Sequence, residues 1–88
     1  MTASERITAI TQRLQQAFNP SELNIEDTSH EHAGHASAKG AGHYTVNICA
    51  ATFNGKKSLQ QHRMIFKALD DLMPTEIHAL VIKSRAET

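Results

Sequence analysis

The stretch "YTVNICAATFNGKKSLQQHRMIFKALDDLMPTEIHALVIK", residues 44–83, decides the fold. It opens with strict alternation in "YTVNICAA", residues 44–51. Tyr44, Val46, Ile48 and Ala50 fall on one face, Thr45, Asn47, Cys49 and Ala51 on the other. That period of two is a strand, and the first set is its core face. Phe53 and an Asn54-Gly55 turn close it. A helical pattern follows from about Ser58 to Met73, where Ser58 and Gln61 have capping-box spacing. His62, Ile65, Phe66, Leu69, Leu72 and Met73 form its apolar stripe, and Pro74 ends it. A further strand, "IHALVIK", runs from Ile77 to about Lys83 and is apolar on both faces except at His78. Two strands joined by a helix predict a right-handed parallel crossover.

Upstream, residues 2–18 predict a helix. Thr2 and Glu5 have capping-box spacing, and Ile7, Ile10, Leu14, Ala17 and Phe18 share a face. Asn19 precedes Pro20, where helical angles are disfavoured, so the helix stops there. "LNIED" is a short first strand, with Leu23 and Ile25 alternating with polar residues. Joined by one loop to the strand at Tyr44, it predicts an antiparallel pair. The whole is an α/β (α+β) chain, ordered α-β-β-α-β: a small three-stranded mixed sheet with helices packed on one face.

The chain is short enough, at 88 residues, to be one domain, 1–88, with one modest core. Formal net charge is zero, so no global field advertises nucleic acid or membrane. No apolar run approaches the ~18 residues of a membrane span. The N-terminus "MTASERITAI" shows no apolar signal region. A single cysteine, Cys49, excludes an internal disulfide, and the expected compartment is the reducing cytoplasm.

The connection over residues 28–43 is far longer than a hairpin needs. It contains "SHEHAGHASAKGAGH", with His30, His32, His35 and His43 and no apolar anchor. Such a composition predicts little order over residues 29–42 without metal. Its end, at strand two, lies at the same end of a parallel pair as the start of strand three, where His78 sits. Adjacent strands are about 4.8 Å apart, so His78 is expected beside the loop in space.

"FNGKKSLQQHRMIFKALDDLM" and "IHALVIK", together with "LNIEDTSHEHAGH" and "GHYTVNI", resemble the BolA-like family over roughly residues 5–84. The resemblance implies a class II KH-like fold and a histidine-rich variable loop at 28–43. It also implies a heterodimer with a monothiol glutaredoxin that shares a [2Fe–2S] cluster, completed by glutathione, for iron–sulfur trafficking or iron sensing. The family's strand-three ligand corresponds to His78, and a second ligand comes from the loop. His35 matches the loop motif of histidine-type members, and His43 is the candidate held by the strand. The isolated chain is expected to carry no cofactor, to be a monomer or weak homodimer, and to catalyse nothing. Two departures stand out: Gln61 precedes "HR" where the family often has Arg, and Thr88 follows strand three closely where many members continue into a helix.

Several residues keep two readings. Loop histidines are either solvated or ligands, since imidazole accepts many transition metals. His78 either packs its ring on Leu80 or ligates. His62, on the apolar stripe, is expected to be a buried, hydrogen-bonded structural histidine. Cys49, mid-strand, is expected to be a small hydrophobe rather than a ligand. A complete iron–sulfur cage takes four ligands, mostly thiolates, which one cysteine cannot supply, so a cluster here needs a partner. Lys56, Lys57, Arg63 and Lys67, in a stretch without acids, support an alternative DNA-binding regulator. Against it, the chain lacks the GxxG loop with which KH modules clamp a nucleic-acid backbone.

Overall fold

The computed structural model describes residues 2–28, 42–73 and 75–88. The chain begins with helix α1, Ala3–Phe18. Thr2 caps it as expected: its hydroxyl accepts from the Glu5 amide at 3.1 Å, and the Glu5 carboxylate accepts from the Thr2 amide at 2.9 Å. Hydrogen bonding from the Thr2 amide, and then from its hydroxyl, holds the Glu5 carboxyl below its ordinary pKa. The C-terminus closes at Asn19, which turns left-handed at φ 45° and donates its amide to the Gln15 carbonyl. The Thr52 hydroxyl donates to the Phe18 carbonyl at 3.2 Å, meeting another carbonyl the helix leaves open.

Strand β1, Glu22–Asp27, pairs antiparallel with strand β2, Gly42–Ala50. After a 3-10 turn at Ala51–Phe53 comes helix α2, Ser58–Ala68, and then a second 3-10 turn at Asp70–Leu72. Strand β3, Ile77–Ala86, runs parallel to β2, giving the order β1-β2-β3. The sheet is mixed and three-stranded, as the crossover pattern predicts.

Tyr44, Val46, Ile48 and Ala50 are the buried face of β2. They meet Ile10, Leu14 and Phe18 of α1 and Ile65 of α2, with Leu69 and Leu72 just beyond. Both helices therefore cover one side of the sheet. Phe18 and Phe53 close the far end, with rings 5.0 Å apart. The Arg13–Asp71 ion pair, at 2.6 Å, ties α1 to the turn after α2.

The structure corrects several details. The second strand begins two residues earlier than the alternation suggests, and Ala51 belongs to the following turn. On its other face Thr45 and Cys49 are also buried, Cys49 as the small hydrophobe expected, because β2 is central and neighbours flank it on both sides. The cap of α2 is Lys57, one residue before Ser58, with the Gln60 side chain accepting from the Lys57 amide at 2.9 Å. The α-helix stops at Ala68 rather than Met73, and the 3-10 turn carries Leu72 into the core. Strand three continues to Ala86, three residues past the apolar run, because Ser84, Arg85 and Ala86 still pair with β2. Pro74 and loop residues 29–41, including His30, His32 and His35, lie outside the described residues.

Gly42 is required where β2 begins. The Tyr44 ring lies across it, and a Cβ there would collide with the Cε2, Cζ and hydroxyl of Tyr44. Gly42→Ala is expected to cost about 1–3 kcal/mol, because Tyr44 is fully packed and cannot give way freely. Urea denaturation of the variant beside the parent chain measures it; a midpoint shift within error would show that Tyr44 yields.

Candidate metal centre

The pairing of β2 with β3 contains one irregularity, and it lies at His78. From Tyr44↔Leu80 onward the register is even, and His43 pairs with Ala79. The next pair is Gly42↔Ile77, so His78 is an extra residue in β3. Continued alternation would aim residue 78 at the core, like Leu80 and Ile82. The bulge instead gives the inward position to Ile77, which is fully buried, and turns His78 to solvent.

The outcome is a pair of imidazoles. The His43 and His78 rings have centroids 5.0 Å apart and planes inclined at 57°. His43 is buried, at 7% exposure, whereas His78 is exposed. The His43 carbonyl accepts from both the amide and the hydroxyl of Thr28, at 2.8 and 3.1 Å, so β1's end fixes this position. The expectation that His78 lies beside the end of the histidine loop is met in space. Its alternative, a ring packed inward on Leu80, is not, because Leu80 lies on the core side. The third candidate, His35, falls outside the described residues.

Two imidazoles are a fitting donor set for a borderline metal. With metal–nitrogen bonds of about 2.0–2.1 Å, neighbouring ligands on one tetrahedral ion hold their ring centroids about 5 Å apart. The observed spacing matches. Two donors do not complete a site, and no group of three or more potential ligands occurs among the described residues. Cys49 is not a third: it lies six residues along β2 from His43, buried, with its thiol directed at the Ala86 carbonyl at 3.6 Å.

Polar residues also gather beneath the pair, on the core side. Arg6 of α1 binds Glu76 at 3.1 Å, and Asp27 pairs with Tyr44 across the sheet. Burial pushes the Tyr44 hydroxyl's pKa up and the Asp27 charge adds to it, with Arg6 opposing. Neither Arg6 nor Glu76 stood out in the sequence. Their only signal was a charged residue on each side of a predicted apolar layer.

The helical histidine is a correction. His62 is half-buried, and its neighbour Gln61 takes the buried place. The Gln61 amide donates to the Lys56 carbonyl at 2.9 Å, and its oxygen accepts from the Ser84 hydroxyl at 2.7 Å. Ile65, Leu69 and Leu72 of the stripe are buried as expected, but its edge falls at Gln61 rather than His62, and Phe66 is 41% exposed, as is Leu59 at 61%. Lys56, Lys57, Arg63 and Lys67 are all exposed around them, as a basic face requires.

The comparisons with known proteins agree with this fold. A family profile described as "BolA-like protein" matches residues 14–88. Protein BOLA1, chloroplastic, of Arabidopsis thaliana is 37% identical over 84 residues, covering 91% of this chain and 52% of that protein. The DNA-binding transcriptional regulator BolA of Escherichia coli (strain K12) is 33% identical over 73 residues, 83% of this chain and 68% of the regulator. Among solved structures, the BolA domain of SufE1 from Arabidopsis thaliana superposes with a TM-score of 0.82 at 31% identity, covering 99% of this chain and 96% of that one. The chain spans about half the length of BOLA1, and 22% of SufE-like protein 1, which it also matches.

Replacing Gln61 is expected to cost more than replacing His62. Gln61→Leu leaves the Ser84 hydroxyl and Lys56 carbonyl without their partner, a loss of about 1–3 kcal/mol. His62→Ala removes a half-exposed ring and should stay under about 1 kcal/mol. Equilibrium unfolding of both variants gives the comparison; the reverse order would return the buried role to His62.

Proposed function

The chain belongs to the BolA-like family, and from that membership we propose that it is a non-catalytic partner of a monothiol glutaredoxin. On this reading the two proteins share a [2Fe–2S] cluster, to which His78 and His43 contribute imidazole ligands. The observation that carries it is the His43–His78 pair, 5.0 Å between centroids on a bulge that turns one ring to solvent. An exposed imidazole beside a strand-held one suits a ligand set that another protein must complete. The remaining thiolates come from a glutaredoxin cysteine and glutathione, because the one cysteine of this chain is buried elsewhere. Bound there, the cluster would supply cargo for delivery or a signal of iron supply.

This chain's own part is to hold and present donors. Backbone bonds from Thr28 to the His43 carbonyl fix one ring, and the bulge aims the other. Imidazole in place of thiolate makes the ligand set less negative, which raises the reduction potential of whatever is held. Nothing in the described site is arranged as a nucleophile with its base, so the proposed role is binding rather than turnover. The same reading places the chain in a reducing compartment.

A second reading rests on the exposed Lys56, Lys57, Arg63 and Lys67 and on the similarity to a DNA-binding regulator. Four phosphate contacts give a salt slope of about −3.6, with little sequence selectivity and weak binding at physiological salt. A tight, sequence-selective complex at that salt, measured by fluorescence anisotropy across a salt series, would put regulation first.

The test of the cluster is anaerobic reconstitution of the chain with a monothiol glutaredoxin and glutathione. The mixture should show a visible spectrum and two irons per heterodimer that neither protein gives alone. His78→Ala should keep the fold, because the ring is exposed, yet change the spectrum and speed cluster loss. An unchanged cluster in folded His78→Ala would remove this reading.

A further inference from the structure

We propose that the Arg6–Glu76 ion pair is a positioning latch for the histidine pair: helix α1, acting through Glu76, holds the bulge that brings His78 beside His43. The inference rests on the reading of those two histidines as metal ligands. Arg6 and Glu76 touch no ligand in this scheme; they act through the strand that carries one.

Glu76 immediately precedes β3 and is tied in three directions. Its amide donates to the Leu72 carbonyl at 2.9 Å, joining it to the turn after α2. Its carbonyl accepts from the Gly42 amide at 3.0 Å, joining it to the residue before His43. Its carboxylate accepts from Arg6 Nε at 3.1 Å, joining it to α1. The first two bonds set the height of β3 against β2 at the bulge. The third ties this point to α1, on the helical side of the sheet.

The pair is also placed to matter. Its side chains are 15% and 25% exposed, against 38% and 60% for Arg13–Asp71 and 54% and 67% for Arg85–Glu22. Less exposure means less screening and a better-defined geometry. A bulge tolerates small slips of register, and a slip of one residue would send His78 to the opposite face. Ile77, fully buried, opposes such a slip by packing. Arg6–Glu76 opposes it by charge from the adjoining position. A ligand pair needs both rings held to well within an ångström, which packing of one neighbouring residue does not guarantee.

The test uses the full chain with His30, His32 and His35 replaced by Ala, so that His43, His62 and His78 are the histidines that remain. Cu²⁺ is the probe, since it binds imidazole tightly among divalent first-row ions. The readouts are its dissociation constant, the nitrogen hyperfine pattern in electron paramagnetic resonance, and the urea midpoint. The parent should show two imidazole nitrogens, and His78→Ala one. Arg6→Leu should weaken Cu²⁺ about 10-fold, the low end of what outer-shell changes do to metal sites. Arg6→Lys, which keeps the charge, should recover affinity to within about twofold of the parent. Gln61→Leu, destabilising but remote from the bulge, should leave the affinity unchanged. If Arg6→Leu does not fold, Glu76→Gln carries the same expectation. Parent affinity in folded Arg6→Leu or Glu76→Gln, with His78→Ala still impaired, overturns the latch and leaves the ligand reading standing. So does an equal loss in Gln61→Leu, which would make the effect one of general stability. Parent affinity in His78→Ala overturns the ligand reading and the latch with it.

Discussion

The parallel pairing of β2 with β3 is the constraint on which the rest depends. Parallel strands cannot be joined by a tight turn, so α2 exists to return the chain to the other end of the sheet. That return brings the beginnings of both strands to one edge, where His43 and Ile77–His78 begin their runs. The end of the histidine-rich segment and the His78 position therefore meet because of topology rather than local sequence. Had β3 run antiparallel, His78 would lie at the opposite end of β2, beside Ala50.

The fold was legible because its signals were periodic. Alternation over Tyr44–Ala50 named the core face, and the capping box at Thr2 and Glu5 set the start of α1. What misled were places where two residues competed for one geometric role. Gln60 and Gln61 stand side by side, and either could close a box over the start of α2. The chain uses Gln60 for the cap and sends Gln61 inward, because a buried amide there meets a waiting donor on Ser84 and an acceptor on Lys56. That choice shifts the edge of the buried face from His62 to Gln61 and leaves His62 and Phe66 toward solvent, while Ile65 and Leu69 stay in the core. A carbonyl on a loop and a hydroxyl on a distant strand are tertiary partners, invisible in the helical period.

The bulge was illegible for a similar reason. Sequence alternation over "IHALVIK" cannot distinguish a regular strand from one with an extra residue near its start, since both Ile77 and Leu80 are apolar. Only the burial of both on one side exposes the irregularity. The proximity of His43 and His78 was predictable from strand direction, but their relative aim was not. It is set by Ile77 claiming the core, by Gly42 bonding to the Glu76 carbonyl, and by Tyr44 lying over a glycine that has no side chain to displace it.

Donor chemistry explains why such a half-site can stand at the sheet edge with His78 exposed. Two thiolates set side by side carry two negative charges and lie one oxidation from a disulfide. Two imidazoles ligate in their uncharged form, so they can share an edge without a counter-ion. Two donors alone also hold a metal only weakly, which favours release until a second protein adds its own ligands. The chain thus places its one cysteine inside the sheet, against the Ala86 carbonyl, and keeps one imidazole, His78, exposed at the edge where another molecule can reach it. On the proposed reading, this division makes cluster binding conditional on the partner, because the described residues offer two of the four ligands a cluster needs.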